Sequence, residues 1–351
     1  MVGWPLRRRC GPIGIDVGSR SVKLLQLSAD RTEVVEAACW ELPPGPEGEP
    51  DRSPASVAEA VCRAREGRGF RGREAVLCLG AGDLFVQNLR VPQAGGNELT
   101  RIVCAEAAGR LPFDVGEAEI RYLEADNVRQ GDSVRREVIL LACRRTVVEQ
   151  LMSLAEEAGL VPVALDVEPS ALLRCYARQY RRDVDQQRRA MFVNVGGSNT
   201  TVVIARGSDA MFVKYIDVGG RHLDAAVARH LKMDLVDAAG LRRHHGDRRA
   251  DQRDPDVSRG IHESIRPVLD RLATELSMCV RYYSVTFRGQ PLASAVLGGG
   301  EASQALAELL AGRLDIACEL GDPLRDFEKT RMAGRQGQWD VVTGLALREL
   351  N

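Results

Sequence analysis

The sequence has almost no net charge, few lysines and no long apolar run. Its 351 residues include 48 Lys+Arg and 49 Asp+Glu, giving a formal net charge of −1, and only four residues are lysine. Without an excess of one charge, no long-range field attracts nucleic acid or an anionic membrane. No apolar stretch reaches the roughly 18 residues that span a bilayer, and no apolar segment of a signal peptide follows the arginines at 7–9. We therefore expect a soluble cytoplasmic protein that neither binds nucleic acid nor inserts directly into the membrane.

Cysteine and histidine are also not arranged as metal or disulfide motifs. The nine cysteines are an odd number, widely scattered, and none forms a C-x-x-C pair, which favours buried thiols in a reducing compartment. His244 and His245 stand in a polar, arginine-rich stretch, and we expect both to be solvated. The whole of residues 242–260 is predicted to be a long exposed connection.

An internal repeat organises the chain. Residues 13–27 and 191–205 each read as a β-rich run, a turn of small residues and a second β-rich run, and Asn194 lies 178 positions after Asp16 in the matching place. A third strand-like stretch follows in both copies, at 32–42 and 211–218. A chain of this length suggests about two domains, and the repeat predicts that they are duplicated α/β units.

A small subdomain is predicted within the first half. A strand at 84–91, a helix at 98–110, a hairpin over 120–143 and a helix capped by Gly159 form a β-α-β-β-α unit. We place the first domain at 1–189, with this insertion at about 85–160. We place the second at 190–340, with an outer part at about 233–285 that contains a long helix over 267–284, and residues 341–351 as a closing helix that packs back on the first domain.

The turn that begins at Asp16 has a definite chemical use. Glycine lets the backbone approach a ligand, and successive amides and hydroxyls can cradle phosphate oxygens, while the Asp16 carboxylate could hold Mg²⁺ through water. A tight hairpin that uses small residues for geometry alone is the alternative. The second copy favours the phosphate interpretation, because two such turns facing each other across a cleft could hold phosphates from both sides.

The glycine motifs at 16–23, 194–200, 217–220 and 297–300 resemble the phosphate and adenosine motifs of the actin-like ATPase superfamily. More narrowly, the chain resembles the PilM family of type IV pilus assembly, which is similar to the cell-division protein FtsA. The resemblance implies duplicated actin-like (ribonuclease H-like) domains flanking a nucleotide cleft. It extends to the segments at 98–113, 158–169 and 344–348.

The resemblance also implies site residues for ATP and Mg²⁺. Asp16 would hold the metal through water, and Glu168 would help to place an attacking water. Around the nucleotide we expect Asp16, Gly18, Ser19, Arg20, Ser21, Lys23, Asn194, Gly196, Gly197, Asn199, Thr200, Gly219, Gly220, Glu275, Gly298, Gly299 and Gly300.

Two departures from the family pattern bear on turnover. The second phosphate motif usually begins with aspartate, whereas this chain has Asn194, and Met278-Cys279 replaces an Arg-Ser pair near the adenine. Losing a carboxylate beside the metal weakens the stabilisation of a phosphoryl-transfer transition state, so we expect weak or absent hydrolysis.

The resemblance implies a scaffold at the cytoplasmic face of the inner membrane. It would bind the N-terminal cytoplasmic peptide of a bitopic PilN-like membrane protein in a groove that involves the inserted subdomain. Other pilus platform proteins and further copies of this chain are possible partners. The alternatives are an active ATPase or small-molecule kinase, and an FtsA-like division protein, which is expected to carry a basic amphipathic membrane-binding helix after the core.

Overall fold

The computed structural model describes residues 10–45, 49–179, 187–247, 254–288, 291–328 and 334–350. Its strands are β1 (Cys10–Val17), β2 (Ser21–Ser28), β3 (Val34–Glu41), β4 (Glu74–Leu79), β5 (Phe85–Pro92), β6 (Ala118–Gln130), β7 (Ser133–Arg144), β8 (Val161–Val167), β9 (Arg189–Val195), β10 (Thr200–Arg206), β11 (Asp209–Ile216), β12 (Ser294–Gly298) and β13 (Cys318–Leu320). Its helices are α1 (Pro54–Arg65), α2 (Gly96–Ala108), α3 (Arg145–Glu157), α4 (Glu168–Ala177), α5 (Gly220–Leu231), α6 (Leu235–Asp247), α7 (Pro255–Thr286), α8 (Gln304–Leu314) and α9 (Asp340–Ala346).

Two five-stranded sheets repeat one topology. Their strand orders are β3-β2-β1-β4-β8 and β11-β10-β9-β12-β13. In each sheet the first three strands along the chain form an antiparallel meander. The fourth strand pairs in parallel with the first, and the fifth pairs in parallel with the fourth. Asp16 and Asn194 are both the penultimate residues of their strands. The predicted duplication of an α/β unit is therefore confirmed.

The inserted unit is a three-stranded antiparallel sheet, ordered β5-β7-β6, with two helices. The apolar face of α2 packs on this sheet through Leu99 and Val103, which meet Leu89 and Val138 in a small separate core. This is the β-α-β-β-α unit that the sequence predicts. Its second helix, α3, packs against α1 in the core of the first half.

The inserted unit also contacts the second half. The Asn88 side chain donates to the backbone oxygen of Val213 in β11 at 2.8 Å, which links the insertion to an edge strand of the other sheet. Glu137 is fully buried, accepts a hydrogen bond from Arg90 Nε at 2.8 Å, and accepts another from the Tyr282 hydroxyl of α7 at 2.6 Å. The insertion therefore joins both halves of the molecule.

The short closing helix α9 packs tightly on the first half. A Cβ at Gly344 would lie 1.8 Å from the backbone oxygen of Ala171 in α4, and one at Gly14 of β1 would lie 2.8 Å from that of Val342. Val342 and Leu345 are completely buried in this contact. Gly344 and Gly14 thus let the backbone of α9 pack directly against the backbones of α4 and β1.

The predicted exposed connection over residues 242–260 is largely wrong. Residues up to Asp247 belong to α6, α7 already begins at Pro255, and residues 248–253 lie outside the described part of the chain. Arg242 is buried between carboxylates, and His245, also buried, is within 2.7 Å of the Ser258 hydroxyl. His244 is exposed as expected. The polar composition of this segment does not indicate an exposed connection, because Arg242 and His245 are buried and bonded to partners.

All nine cysteines are free thiols in the structure, but not all of them are buried as predicted. Cys62 and Cys104 are exposed on α1 and α2. Within the described residues no helix has the length and apolar character needed to cross a membrane.

Candidate functional site

Two glycine turns of the same geometry face each other between the sheets. In the β1–β2 turn the Gly18 amide donates to the Ser21 oxygen at 3.0 Å, and in the β9–β10 turn the Gly196 amide donates to the Asn199 oxygen at 2.9 Å. A Cβ at Gly197 would lie 2.3 Å from the Ser19 hydroxyl oxygen. The two turns therefore meet, and a larger residue at 197 would displace the Ser19 side chain.

A cleft of about 750 Å³ opens beside these turns. Its volume lies in the range of small-molecule and cofactor pockets. Most of the residues predicted from the sequence line it together: Asp16, Gly18, Ser19, Arg20, Ser21, Lys23, Glu168, Asn194, Gly196, Gly197, Asn199, Gly299 and Gly300.

Three predicted residues support the second turn from behind instead of lining the cleft. The Thr200 hydroxyl is buried and donates to the Val218 oxygen at 2.7 Å. The Gly220 amide donates to the Gly196 oxygen at 3.0 Å, and a Cβ at Gly219 would lie 2.6 Å from the Asn199 nitrogen. These residues shape the turn without facing the cleft.

Two further residues predicted at the nucleotide, Glu275 and Gly298, do not line the cleft. Glu275 of α7 is bonded to Lys214 of β11 at 2.9 Å and is not among the residues that line the cleft. Gly298 also does not line it, and a Cβ there would lie 2.1 Å from Asp340 Oδ2. Gly298 therefore makes room for a carboxylate, and only Gly299 and Gly300 of that motif reach the cleft.

Asp16 and Lys23 form the charged pair at the first turn. Their side chains face one another across the β1–β2 ladder, with Lys23 Nζ 3.0 Å from Asp16 Oδ2. Burial opposes the charge of the ammonium, but attraction to Asp16, with smaller contributions from Cys39 and Asp340, outweighs burial and raises the pKa of Lys23. Lys23 is therefore a fixed positive charge in the cleft.

Glu168 enters the cleft from the first residue of α4. Pro169 follows it, which suits the first turn of a helix, and the Thr201 hydroxyl of β10 donates to Glu168 Oε1 at 2.6 Å. Burial raises the pKa of Glu168 to about 7, against the hydrogen bond from Thr201 and with added repulsion from Asp16. A carboxyl with such a pKa can accept or donate a proton near neutral pH.

Asp340 is a site residue that sequence reasoning missed. It lies at the start of α9, lines the cleft, and accepts hydrogen bonds from the Asn194 amide nitrogen at 2.9 Å on each carboxylate oxygen. Burial raises its pKa to about 7, against hydrogen bonds from the Val341 amide and Asn194. No local motif marks this residue, because its partner lies 146 positions earlier.

Arg20 reaches across the cleft into a buried ion-pair network that the sequence also did not reveal. Its guanidinium donates to Glu301 Oε1 at 2.7 Å and to Asp224. Arg242 donates to the same two acids, at 2.8 Å to Glu301 and 2.7 Å to Asp224. These acids hold the pKa of Arg242 above its ordinary value against burial. Arg20, predicted among the nucleotide-binding residues, thus links the two halves in this structure.

The residues present fit a nucleotide with a hydrated divalent cation. The glycine cradle provides backbone amides where a Cβ would fill the space, and Ser19 and Ser21 add hydroxyls beside Asp16. Within the described residues no three His, Cys, Asp or Glu side chains are grouped as direct metal ligands. A cation here would therefore be held by Asp16 through water and by phosphate oxygens, as Mg²⁺ prefers.

Comparison with known proteins identifies both family and fold. The profile of the family described as "Type IV pilus assembly protein PilM" matches residues 14–350. A structure described as a PilM–PilN type IV pilus biogenesis complex aligns with a TM-score of 0.77 at 24% identity, covering 98% of each chain. The ethanolamine utilization protein EutJ from Carboxydothermus hydrogenoformans aligns with a TM-score of 0.59 at 14% identity, covering 98% of this chain and 91% of its own. MreB 5 of Spiroplasma citri bound to AMPPNP aligns with a TM-score of 0.50 at 11% identity, covering 97% and 95%.

Proposed function

Because the chain belongs to the PilM family of type IV pilus assembly proteins, we propose that it is a nucleotide-binding scaffold of the pilus assembly platform at the inner membrane. The pair of matching glycine turns that meet at Ser19 and Gly197 carries this proposal. An Mg²⁺–ATP complex bound there would offer its phosphate oxygens to the amides and hydroxyls of both turns. Its binding would bias the angle between the halves, and this population shift is the proposed output.

Weak or absent hydrolysis is part of the proposal. The second turn offers the neutral amide of Asn194, whose nitrogen is bonded to Asp340. Oxygen Oε1 of Glu168 is bonded to Thr201. Both contacts hold groups that a phosphoryl-transfer site would need free to stabilise charge and to orient water.

We propose that the partner peptide binds in a second cavity, of about 1030 Å³, that the inserted subdomain helps to form. Leu123 of β6 lies on one wall, Leu173 and Ala177 of α4 form another, and Leu347 follows α9. Charged side chains surround this apolar surface, among them Arg31, Arg174, Arg178 and Glu349. An apolar floor with a charged rim suits a short amphipathic segment, such as the N-terminal cytoplasmic peptide of a PilN-like membrane protein.

Calorimetric titration with the N-terminal peptide of a PilN-like protein from the same organism tests the proposal. Binding should be saturable, should differ with and without ATP and Mg²⁺, and should be absent with a scrambled peptide. In Ala177→Arg the new side chain would occupy the cavity and weaken binding by about tenfold or more, or about 1.4 kcal/mol. The matched control Ala105→Arg, on the exposed face of α2, should bind as the wild type does. No heat with the cognate peptide in any nucleotide state would refute the scaffold function.

An active ATPase is the second candidate, and the raised pKa of Glu168 favours it. A buried carboxyl with a pKa of about 7 is suited to accept a proton from water. Phosphate release well above background that is abolished by Glu168→Gln and by Asp16→Asn would establish this activity. If nucleotide binds but phosphate release stays at background, the chain is a scaffold without ATPase activity.

The scaffold proposal also carries the remaining expectations about partners. We propose that the protein is cytoplasmic and held at the inner membrane through its peptide partner. Contacts with other platform proteins and self-association are further predictions of this function. If the peptide does not bind, a small-molecule kinase or an FtsA-like division protein becomes the favoured alternative.

A further inference from the structure

We infer that Asp340, from the first turn of α9, supplies the carboxylate that the second glycine turn lacks at Asn194. The inference rests on the proposed nucleotide site and names a residue of that site outside both glycine turns. The amide at 194 and the acid at 340 form one hydrogen-bonded contact.

The internal repeat defines what is missing. Asp16 and Asn194 are equivalent positions in two sheets of the same topology, so one copy presents a carboxylate to the cleft and the other an amide. The Asn194 nitrogen lies 2.9 Å from both oxygens of Asp340. Asn194 is 7% exposed and Asp340 is 1% exposed, so water screens this contact very little. The missing carboxyl group is thus present directly beside the residue that lacks it.

The two side chains are complementary only as an acid and an amide. An aspartate at position 194 would bring two carboxylates to hydrogen-bond distance in a buried site, which is unfavourable unless one is protonated. With aspartate at 194 and asparagine at 340, the same contact would form with donor and acceptor exchanged. The reciprocal exchange should therefore be tolerated, whereas Asn194→Asp alone should not.

The backbone independently makes room for this carboxylate. Gly298 is the register partner of Asn194 across the β9–β12 ladder. A Cβ at Gly298 would lie 2.1 Å from Asp340 Oδ2 and 3.1 Å from its Cγ, so any other residue would displace the acid. Positions 194, 298 and 340 come from three separate segments and together build one niche for the Asp340 carboxylate.

The Asp340 carboxylate faces the cleft and acts on its other charges. It lines the same cleft as Asp16 and Glu168, and its attraction contributes to the raised pKa of Lys23. Its own position is fixed by the Val341 amide at 2.7 Å. Because α9 packs on the first half and Asn194 belongs to the second, the acid also bridges the two halves. The ligand chemistry that this placement suits is a hydrated divalent cation beside phosphate oxygens.

Four proteins test the inference: the wild type, Asn194→Asp, Asp340→Asn and the double exchange. The first readout is urea unfolding without ligand. Asn194→Asp should unfold at lower urea, because it pairs two carboxylates, and the double exchange should recover most of the loss. The second readout is the gain in affinity for a fluorescent ADP analogue when Mg²⁺ replaces EDTA. Asp340→Asn should reduce this gain about tenfold, and the double exchange should restore it.

Each other outcome is decisive. A double exchange no more stable than Asn194→Asp shows that the two residues do not act as an interchangeable pair and overturns the inference. An unchanged Mg²⁺ gain in Asp340→Asn also overturns it, even if nucleotide binding itself stands. If the wild type binds no nucleotide, the proposed function fails, and the unfolding comparison alone decides the inference. The control Asp256→Asn removes a carboxylate that is 87% exposed and should change neither readout.

Discussion

The guanidinium of Arg20 donates a hydrogen bond to the carboxylate of Glu301 at 2.7 Å, although the two residues are 281 positions apart. Arg20 belongs to the first glycine turn, and Glu301 follows β12 in the second half. The contact crosses the cleft and ends in a pair of acids that Arg242 also neutralises. The two halves are therefore held together by charge as well as by the turns themselves.

Arg20→Ala should loosen the two halves. The side chain is 22% exposed, and its two acids keep Arg242 as a partner, so we expect a loss of about 2 kcal/mol in the free energy of unfolding. Small-angle X-ray scattering should show a larger radius of gyration as the cleft opens. Arg63→Ala, which removes only exposed ion pairs on α1, should cost less than about 1 kcal/mol. Equal stability and size in Arg20→Ala and the wild type would contradict the bridging role.

Gly344→Ala should strongly destabilise the protein. The added Cβ would lie 1.8 Å from the Ala171 backbone oxygen, and neither α9 nor α4 can accommodate it without moving. We expect a loss of about 3 kcal/mol in urea unfolding. Gly240→Ala is the matched control, because a Cβ there meets nothing within 4 Å on α6, and it should stabilise the helix by about 0.5–1 kcal/mol. Similar effects of the two changes would show that α9 is not packed as described.

Tyr282→Phe should weaken the link between the inserted subdomain and α7. It deletes the hydroxyl that donates to the buried carboxylate of Glu137 at 2.6 Å, and leaves Arg90 as the remaining partner. The expected cost is about 1–3 kcal/mol by urea unfolding. Ser284→Ala, which removes an exposed hydroxyl bonded only to its own helix, should be close to neutral. If Tyr282→Phe does not change the free energy of unfolding, this hydrogen bond does not couple the inserted subdomain to α7.

The stability of the protein should depend on the protonation of Glu168. Burial raises its pKa to about 7, so the folded state binds this proton more tightly than the unfolded state. The stabilising contribution is therefore complete below the unfolded pKa of about 4.5 and is lost as the pH rises through about 7. Glu168→Gln should lose less free energy of unfolding between about pH 5 and pH 8 than the wild type does.

Asp340 titrates in the same direction, so part of the pH dependence should remain in Glu168→Gln. The exposed change Glu156→Gln on α3 should keep the full wild-type dependence. A wild-type pH profile in Glu168→Gln would show that this carboxyl is not buried in the folded protein.

The parts of the fold that follow from local pattern were predictable from the sequence. The repeat around Asp16 and Asn194 gives two equivalent meanders because strand periodicity and small-residue turns are local signals. The same signals mark the inserted hairpin, and Pro169 marks the start of α4. The residues of both glycine turns meet in one cleft because the duplicated topology brings equivalent strand ends together.

The parts that depend on contacts between distant side chains were not predictable. Asp340 pairs with Asn194 across 146 positions, so the sequence shows a missing acid but not its replacement. The sequence predicts that Arg242 is exposed, because composition does not reveal that Asp224 and Glu301 surround it. The family resemblance implies that Glu275 lies at the nucleotide, whereas in the structure its side chain on α7 accepts a hydrogen bond from Lys214.

Titration of a fluorescent ATP analogue, with Mg²⁺ or with EDTA, tests the nucleotide-binding account most directly. The wild type should bind saturably and more tightly with Mg²⁺, and Asp16→Asn should lose the Mg²⁺ dependence, because Asp16 faces the cleft beside both glycine turns. Asp209→Asn, at a carboxylate that is 60% exposed, serves as the control and should bind as the wild type does. Absence of saturable binding by the wild type, in the presence and in the absence of Mg²⁺, would contradict the account.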